Sequence, residues 1–405
     1  MGTTMTDERP RRDPLLPTGD RASSAAAPPA APANAMKSRG TLPITLIAAL
    51  VVVIAAAAAF TAYWFFAIAT LEERVAGWIE QRETEGWRID RGAMTRSGFP
   101  SRLRLTLIDG SIAAPAGWRW ASPRTEISLP VFAGWSGDTS PVDVAFGGEQ
   151  RLSPLPNGPV ILAHADTLVA RLNDDDSRLP TGTFVADNLV VAAEGGAPVT
   201  VGHLEAASSG DPTREASLDD ATFDLAVNAR TVTLPPSLVP ALTPALGERI
   251  ERLDVEARLM GGLGGGPWPE AVGRWRQAGG TVEVTRLGLA YGPLDLDGEG
   301  TLALDGRDEL LGAFSVTARG LAATVSTLAE RGAIPPEVAA AARFLLHARA
   351  RSAEPPSAAS GTPGATATRA DPPINVPVSI QDRTVFLGPL PIARLPALPW
   401  ALERR

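Results

Sequence analysis

The sequence predicts a mainly β protein with minor α, in which an N-terminal transmembrane helix leads into an antiparallel β-sheet with a few covering helices. Three observations predict it. Thr41–Thr70 carries no charged residue and is dominated by Ala, Val, Ile, Leu and Phe. Stretches after it alternate apolar and polar residues, the two-residue period of a half-buried strand. Gly, Pro, Asn and Asp separate those stretches at near-regular intervals, as turns do in an antiparallel architecture.

Residues 1–40 are rich in Pro, Ala, Arg and Asp with no periodic apolar face, which predicts a disordered cytoplasmic tail. Residues 41–70 exceed the roughly 20 needed to cross a bilayer core. Arg9, Arg11, Arg12, Arg21, Lys37 and Arg39 precede this run, and Glu72 and Glu73 follow it. Positive charge stays in the cytoplasm, so residues 71–400 are expected outside, in the periplasm of a bacterial inner-membrane protein. Tyr63, Trp64, Phe65 and Phe66 stand near the outer end, where aromatic rings favour the interface. A cleaved signal peptide ending at Ala67-Ile68-Ala69 is the rival reading, but its apolar core would be about twice the usual 7–15 residues. Leu71–Glu85 continues as an amphipathic helix with Leu71, Val75, Trp78, Ile79 and Arg82 on one face, and stops at Gly86.

The strands follow. Leu103, Leu105 and Leu107 alternate with Arg102, Arg104 and Thr106, and Ile127, Leu129 and Val131 alternate likewise. Val160–Leu172, Thr183–Ala193 and Pro198–Ser208 are expected strands. Phe223–Ala229 and Leu253–Leu259 show the same period. Thr281–Ala290, Leu294–Asp305 and Gly312–Arg319 read as three strands, the last two joined at Asp305-Gly306. In the middle one Leu294, Leu296, Gly298, Gly300, Leu302 and Leu304 share a face opposite Asp295, Asp297, Glu299 and Asp305. Pro236–Gly247, Trp268–Ala278 and a pair broken at Gly332 (Thr324–Arg331, Pro335–Arg349) are expected helices. Residues 351–373 read as a mobile Pro/Ala/Ser/Thr/Gly loop, before a hairpin turning at Gln381-Asp382.

Several chemistries are disfavoured. Net charge is −8, against a nucleic-acid partner. Cysteine is absent and Lys37 is the only lysine, which removes thiol nucleophiles, thiolate metal sites and a P-loop lysine. His164, His203 and His347 lie in no metal-ligand spacing, and Asn173–Ser177 lacks the glycine of a calcium loop, having Arg178 instead. Gly261–Gly266 reads as a flexible connector, because the third glycine of a phosphate loop falls on Pro267. Asp295, Asp297, Glu299 and Asp305 read as the solvent side of a strand rather than a glycosidase pair, and Trp118 and Trp120 as packing residues rather than a sugar platform. No catalytic residue, cofactor or metal is expected, and the chain is not expected to be an enzyme.

Arg91-Gly92, Gly98–Leu103, Trp275–Val284, Gly292–Leu296, Gly298–Leu302 and Phe386–Pro391, taken in order, resemble the bacterial domain of unknown function 2125 family over roughly Leu71 to Trp400. The layout is similar, more distantly, to AsmA-like envelope proteins. That resemblance implies an elongated, curled sheet lining an apolar groove that carries phospholipid acyl chains, and it brings no catalytic residues. The expected function is therefore a single-pass inner-membrane protein whose periplasmic β-domain binds or conducts lipid in cell-envelope maintenance. Leu103, Leu105, Leu107, Leu294, Leu296, Leu302, Leu304, Phe314 and Val316 are the candidate groove residues. The expected partners are the membrane, phospholipid and other envelope proteins. An envelope scaffold whose apolar faces close into a core is the alternative, and a carbohydrate-active enzyme a further one.

Overall fold

The computed structural model describes residues 42–115, 117–133, 141–154, 158–173, 181–237, 243–265, 268–332, 334–337, 339–340, 342–344, 373–388 and 390–395. The expected tail, the loop up to residue 372, Asp174–Arg178, Gly266, Pro267 and His347 lie outside them. The chain divides after Ala57 into two units.

The first unit, where described, is the leading part of helix α1 (Leu42–Thr84). Its Leu, Ile and Val side chains from Leu46 to Ile54 have more than half their surface exposed. Among the described residues α1 is the one helix long and apolar enough to cross a membrane.

In the second unit α1 runs on without a break to Thr84, and the chain turns at Gly86, whose φ is +90°. Leu71, Val75, Ile79 and Arg82 face inward as expected. Trp78 does not: it is 46% exposed, with the Arg82 guanidinium 5.7 Å from its ring. The inward residues step by four, four and three, which keeps them within an arc of about 80°, and Trp78 falls just outside that arc, about 20° beyond Leu71.

The rest is organised by one antiparallel sheet of eighteen strands. Strands β1 (Arg88–Asp90) and β2 (Ala93–Ser97) lie end to end along β3 (Arg102–Ala113), which pairs with β4 (Arg119–Pro130). Along its length β4 pairs with β5 (Val142–Gly147) and then β6 (Gln150–Ser153). These in turn pair with β8 (Thr167–Leu172) and β7 (Ile161–His164), both of which pair with β9 (Gly182–Ala193). From β9 onward every strand pairs with the next in sequence. They are β10 (Val199–Gly210), β11 (Ala221–Thr233), β12 (Arg249–Met260), β13 (Thr281–Tyr291) and β14 (Leu294–Leu304). β15 (Leu310–Arg319), β16 (Ile374–Gln381), β17 (Thr384–Leu387) and β18 (Leu390–Arg394) complete the order. Helices α2 (Thr243–Leu246), α3 (Trp268–Gln277) and α4 (Leu321–Glu330) sit in the connections, α2 packing on α4 and α4 on β14.

Four expectations need correction. Val160–Leu172 is two strands, because Asp166 interrupts them: its amide donates to the Asp187 carbonyl (3.0 Å) and its carboxylate accepts from Asn188 (2.8 Å). The β14–β15 connection is a five-residue loop, not a two-residue turn. The Asp305 carboxylate accepts the amides of Arg307 and Glu309, each at 2.8 Å, and this holds the loop open. The last hairpin turns one residue later than expected, at Asp382-Arg383, where both φ values are positive (47° and 59°), as a type I′ turn requires. Finally, Gly261–Gly265 is pinned rather than flexible. Gly261 N donates to Asp220 O (2.9 Å) and Leu263 N to Pro212 O (2.8 Å), and a Cβ at Gly262 would lie 1.7 Å from Arg214 O. Glycine is there because another backbone passes against it.

On the polar side, Asp143 of β5 joins strands that are not all neighbours. It accepts from Arg102 of β3 and Arg171 of β8, both at 2.8 Å. Burial pushes its carboxyl pKa up, but those two hydrogen bonds and charges outweigh burial and hold it below the usual range. The sign follows. The stabilisation is present above the unfolded-state pKa and is lost as pH falls through the lower folded value. Thermal melts of the detergent-solubilised protein from about pH 5 to about pH 2 should show Asp143→Asn losing less stability over that window than the native chain.

Candidate functional site

Side chains alternate across a sheet, so register alone fixes which residues share a face. One row can be followed through twelve strands. It runs Leu105–Ile127–Val144–Ala170–Phe184–Ala206 and on through Val227–Val255–Leu287–Gly298–Val316–Val376. No member of it is polar. All nine candidate groove residues stand on this apolar face, in β3, β14 and β15.

The face is covered differently along its length. Over β3 and β4, Trp64 and Ile68 of α1 close on Leu103 and Val131, and the Trp64 indole donates to Arg102 O at 2.9 Å. Over β5 and β7–β10 the packed cluster around Leu168, Ala186 and Leu189 consists of strand and turn residues. Over β12–β14, α3 lays Ala271, Val272 and Trp275 onto Leu259, Val282 and Leu304, together with Leu263. Trp275 Nε1 donates to Met260 O at 2.8 Å, and the buried Arg276–Asp308 ion pair (3.1 Å) fixes the end of the helix.

Beneath α3 lies a cavity of about 340 Å³ whose accessible surface is apolar, although Arg258 also borders it. Phe223, Leu225, Ala257, Leu259, Val282, Leu302, Leu304 and Leu310 form its floor and sides, and Leu263, Val272 and Trp275 its cover. Of the nine candidates, Leu302 and Leu304 reach it. Leu103, Leu105 and Val316 are buried at 4%, 0% and 3% exposure, while Leu107, Leu294, Leu296 and Phe314 are half-buried elsewhere on the face. The apolar positions in β11, β12 and α3 had the right periodicity in the sequence. What it lacked was their pairing, which decides that Phe223, Leu259, Val282 and Leu302 form one row.

Glycines shape this face. A Cβ at Gly300 would lie 2.4 Å from both the Phe314 ring and Ala313 O, and one at Gly280 would lie 2.2 Å from the Trp275 indole. The two aromatic rings occupy space that any side chain at those positions would fill.

The opposite face is charged. Arg252 reaches Asp295 (2.8 Å), Asp297 (3.8 Å) and Asp254 (3.6 Å), while Arg319 reaches Asp295 (3.9 Å) and Asp297 (3.6 Å). Both strand carboxylates are thus held by guanidinium groups rather than set in an apolar pocket, which is not the setting of a glycosidase acid. Trp118 and Trp120 pack edge-to-face on Trp87 and Phe146, at 5.4 and 5.5 Å. His203 pairs with Asp187 at 2.7 Å, and no group of metal ligands occurs among the described residues.

A family model described as "Uncharacterized protein conserved in bacteria (DUF2125)" matches residues 64–396. The chain belongs to the DUF2125 family. No curated protein and no solved structure matches it. The DUF2125 match begins at Trp64, the residue that hydrogen-bonds α1 to the start of β3, and ends just past β18. The matched region therefore takes in the docked part of α1 together with the sheet. The cavity under α3 lies well inside it.

Proposed function

We propose that this DUF2125 protein is a single-pass inner-membrane protein with a cytoplasmic amino terminus, whose periplasmic β-domain binds an acyl chain of a lipid in cell-envelope maintenance. The observation that carries the reading is the cavity beneath α3: about 340 Å³, apolar over its accessible surface, on the same face as the twelve-strand row. That volume is at the lower end for ligand sites, whose linings usually include a few polar groups to orient the ligand. A methylene chain needs none, and gains about 0.8 kcal/mol for each CH₂ removed from water. Six of the nine candidate residues keep part of their surface open, which favours a ligand over the closed-core scaffold. The role is binding rather than catalysis, and its partners are the membrane and other envelope proteins rather than nucleic acid.

Native mass spectrometry of the full chain purified in detergent should detect copurified lipid. A fluorescent fatty acid should bind it, and Ala257→Phe, which puts a ring into the cavity, should weaken that binding about tenfold. Equal probe binding by both proteins would exclude this site. Absence of copurified lipid together with absence of probe binding would leave the scaffold reading.

A further inference from the structure

Four of the exposed aromatic side chains of the second unit belong to one neighbourhood. Phe65, Phe66, Phe99 and Phe132 are 58%, 70%, 52% and 52% exposed. Phe65 and Phe66 belong to α1. Phe99 lies in the β2–β3 turn, whose Phe99-Pro100 bond is cis, and Phe132 just beyond β4, so three separate chain segments contribute. Phe99 and Phe132 meet at Phe60, whose ring centroid is 6.1 Å from that of Phe99 and 6.0 Å from that of Phe132, while Phe65 stands edge-on to Trp64 at 5.2 Å. Trp64 stacks edge-on against Phe99 at 5.6 Å, and Tyr63 lies over Phe132 at 6.1 Å while donating to Val131 O at 3.2 Å. The outer part of the apolar run of α1, from Phe60 on, is thus enclosed on one side by sheet-borne rings and carries its own rings on the other.

Elementary lengths say what surrounds them. Leu42–Ala59 accounts for about 27 Å of helix at 1.5 Å per residue, close to the ~30 Å of a hydrocarbon core. Residues 60–66 then cover about 10 Å more, enough to pass through the headgroup layer where aromatic rings concentrate. The first charge after the run, Glu72, is ion-paired with Arg96 of β2, more than a helical turn farther on. We propose that this end of the sheet rests in the membrane interface, Phe99 and Phe132 completing with Phe65 and Phe66 an aromatic collar at the lipid headgroups. The partner is the lipid bilayer surface. The proposal rests on α1 being a membrane anchor, and goes beyond it by placing the strand ends in the same layer.

The chain contains no cysteine, so single nitroxide labels can be placed without background. Labels at Phe99→Cys and Ser101→Cys, the second leaving every ring intact, are compared in phosphatidylcholine/phosphatidylglycerol vesicles with Val52→Cys in the apolar run and Leu311→Cys on β15. Oxygen and nickel-chelate accessibility should put Val52 in the hydrocarbon, Leu311 in water, and both turn labels at headgroup depth between them. Turn labels as water-accessible as Leu311, with Val52 still in lipid, would overturn the collar and leave the anchor standing. Val52 in water would overturn both. Turn labels shielded from both reagents and coupled to a label on another copy would overturn the collar in favour of a dimer contact.

Discussion

Trp275→Ala is expected to destabilise the folded β-domain by about 3–5 kcal/mol, the range for removing a large buried aromatic. The indole is 6% exposed, roofs the cavity, and ties α3 to β12 through its hydrogen bond to Met260 O. Trp275→Phe keeps most of the packing and loses chiefly that bond, so it should cost less, about 1–3 kcal/mol including the acceptor left unpaired. Guanidinium unfolding in detergent, followed by circular dichroism, measures both. A second variant tests the geometry. Gly280→Ala puts a methyl group into the space the indole occupies, so it should be costly in the native chain and much cheaper beside Trp275→Ala. Equal cost in both backgrounds would mean the ring and the glycine are not coupled.

Arg276→Ala comes next in size, at about 3–5 kcal/mol, because it leaves the Asp308 carboxylate buried without its cation. The two side chains are 16% and 8% exposed and 3.1 Å apart, and Arg276 Nη1 also donates to Asp305 O at 2.9 Å. Asp305 in turn accepts two loop amides, so one guanidinium holds both the end of α3 and the β14–β15 loop. Replacing both partners, as in Arg276→Met with Asp308→Asn, should recover much of the loss, since neither charge then remains buried alone. The same unfolding assay decides: a single Arg276→Ala costing under about 1 kcal/mol would place this pair among weak surface pairs.

Much of the sheet was legible in the sequence. β14, β16 and β17 could be read from strict alternation, the apolar face of β14 from its leucines and glycines, and β13 from two alternating halves whose period slips at Thr285-Arg286. β5 went unread although Val142, Val144 and Phe146 alternate with Asp143, Ala145 and Gly147: the run is short, its second face carries the small Ala145 and Gly147, and all six positions are half-buried. The cavity was legible only in part. Leu302 and Leu304 were on the page as one strand's apolar positions, but periodicity within a strand says nothing about which strand lies beside it. Helix α3 showed a clear apolar face, yet only tertiary packing decides that this face covers β12–β14. The end of α1 is a similar case: four consecutive aromatics suggested a membrane belt, but Tyr63 and Trp64 turn inward onto protein while Phe65 and Phe66 stay outside. A helix buried on one side divides such a run between two solvents.

From β9 to β18 the neighbour of each strand is the one made just before it, so the back half of the molecule never waits for a distant segment to complete an earlier hydrogen-bond ladder. A polypeptide delivered amino end first can add these strands one at a time, each new one finding a finished edge, with long-range closure costs kept small. Cutting such a chain late should shorten the sheet rather than scramble it.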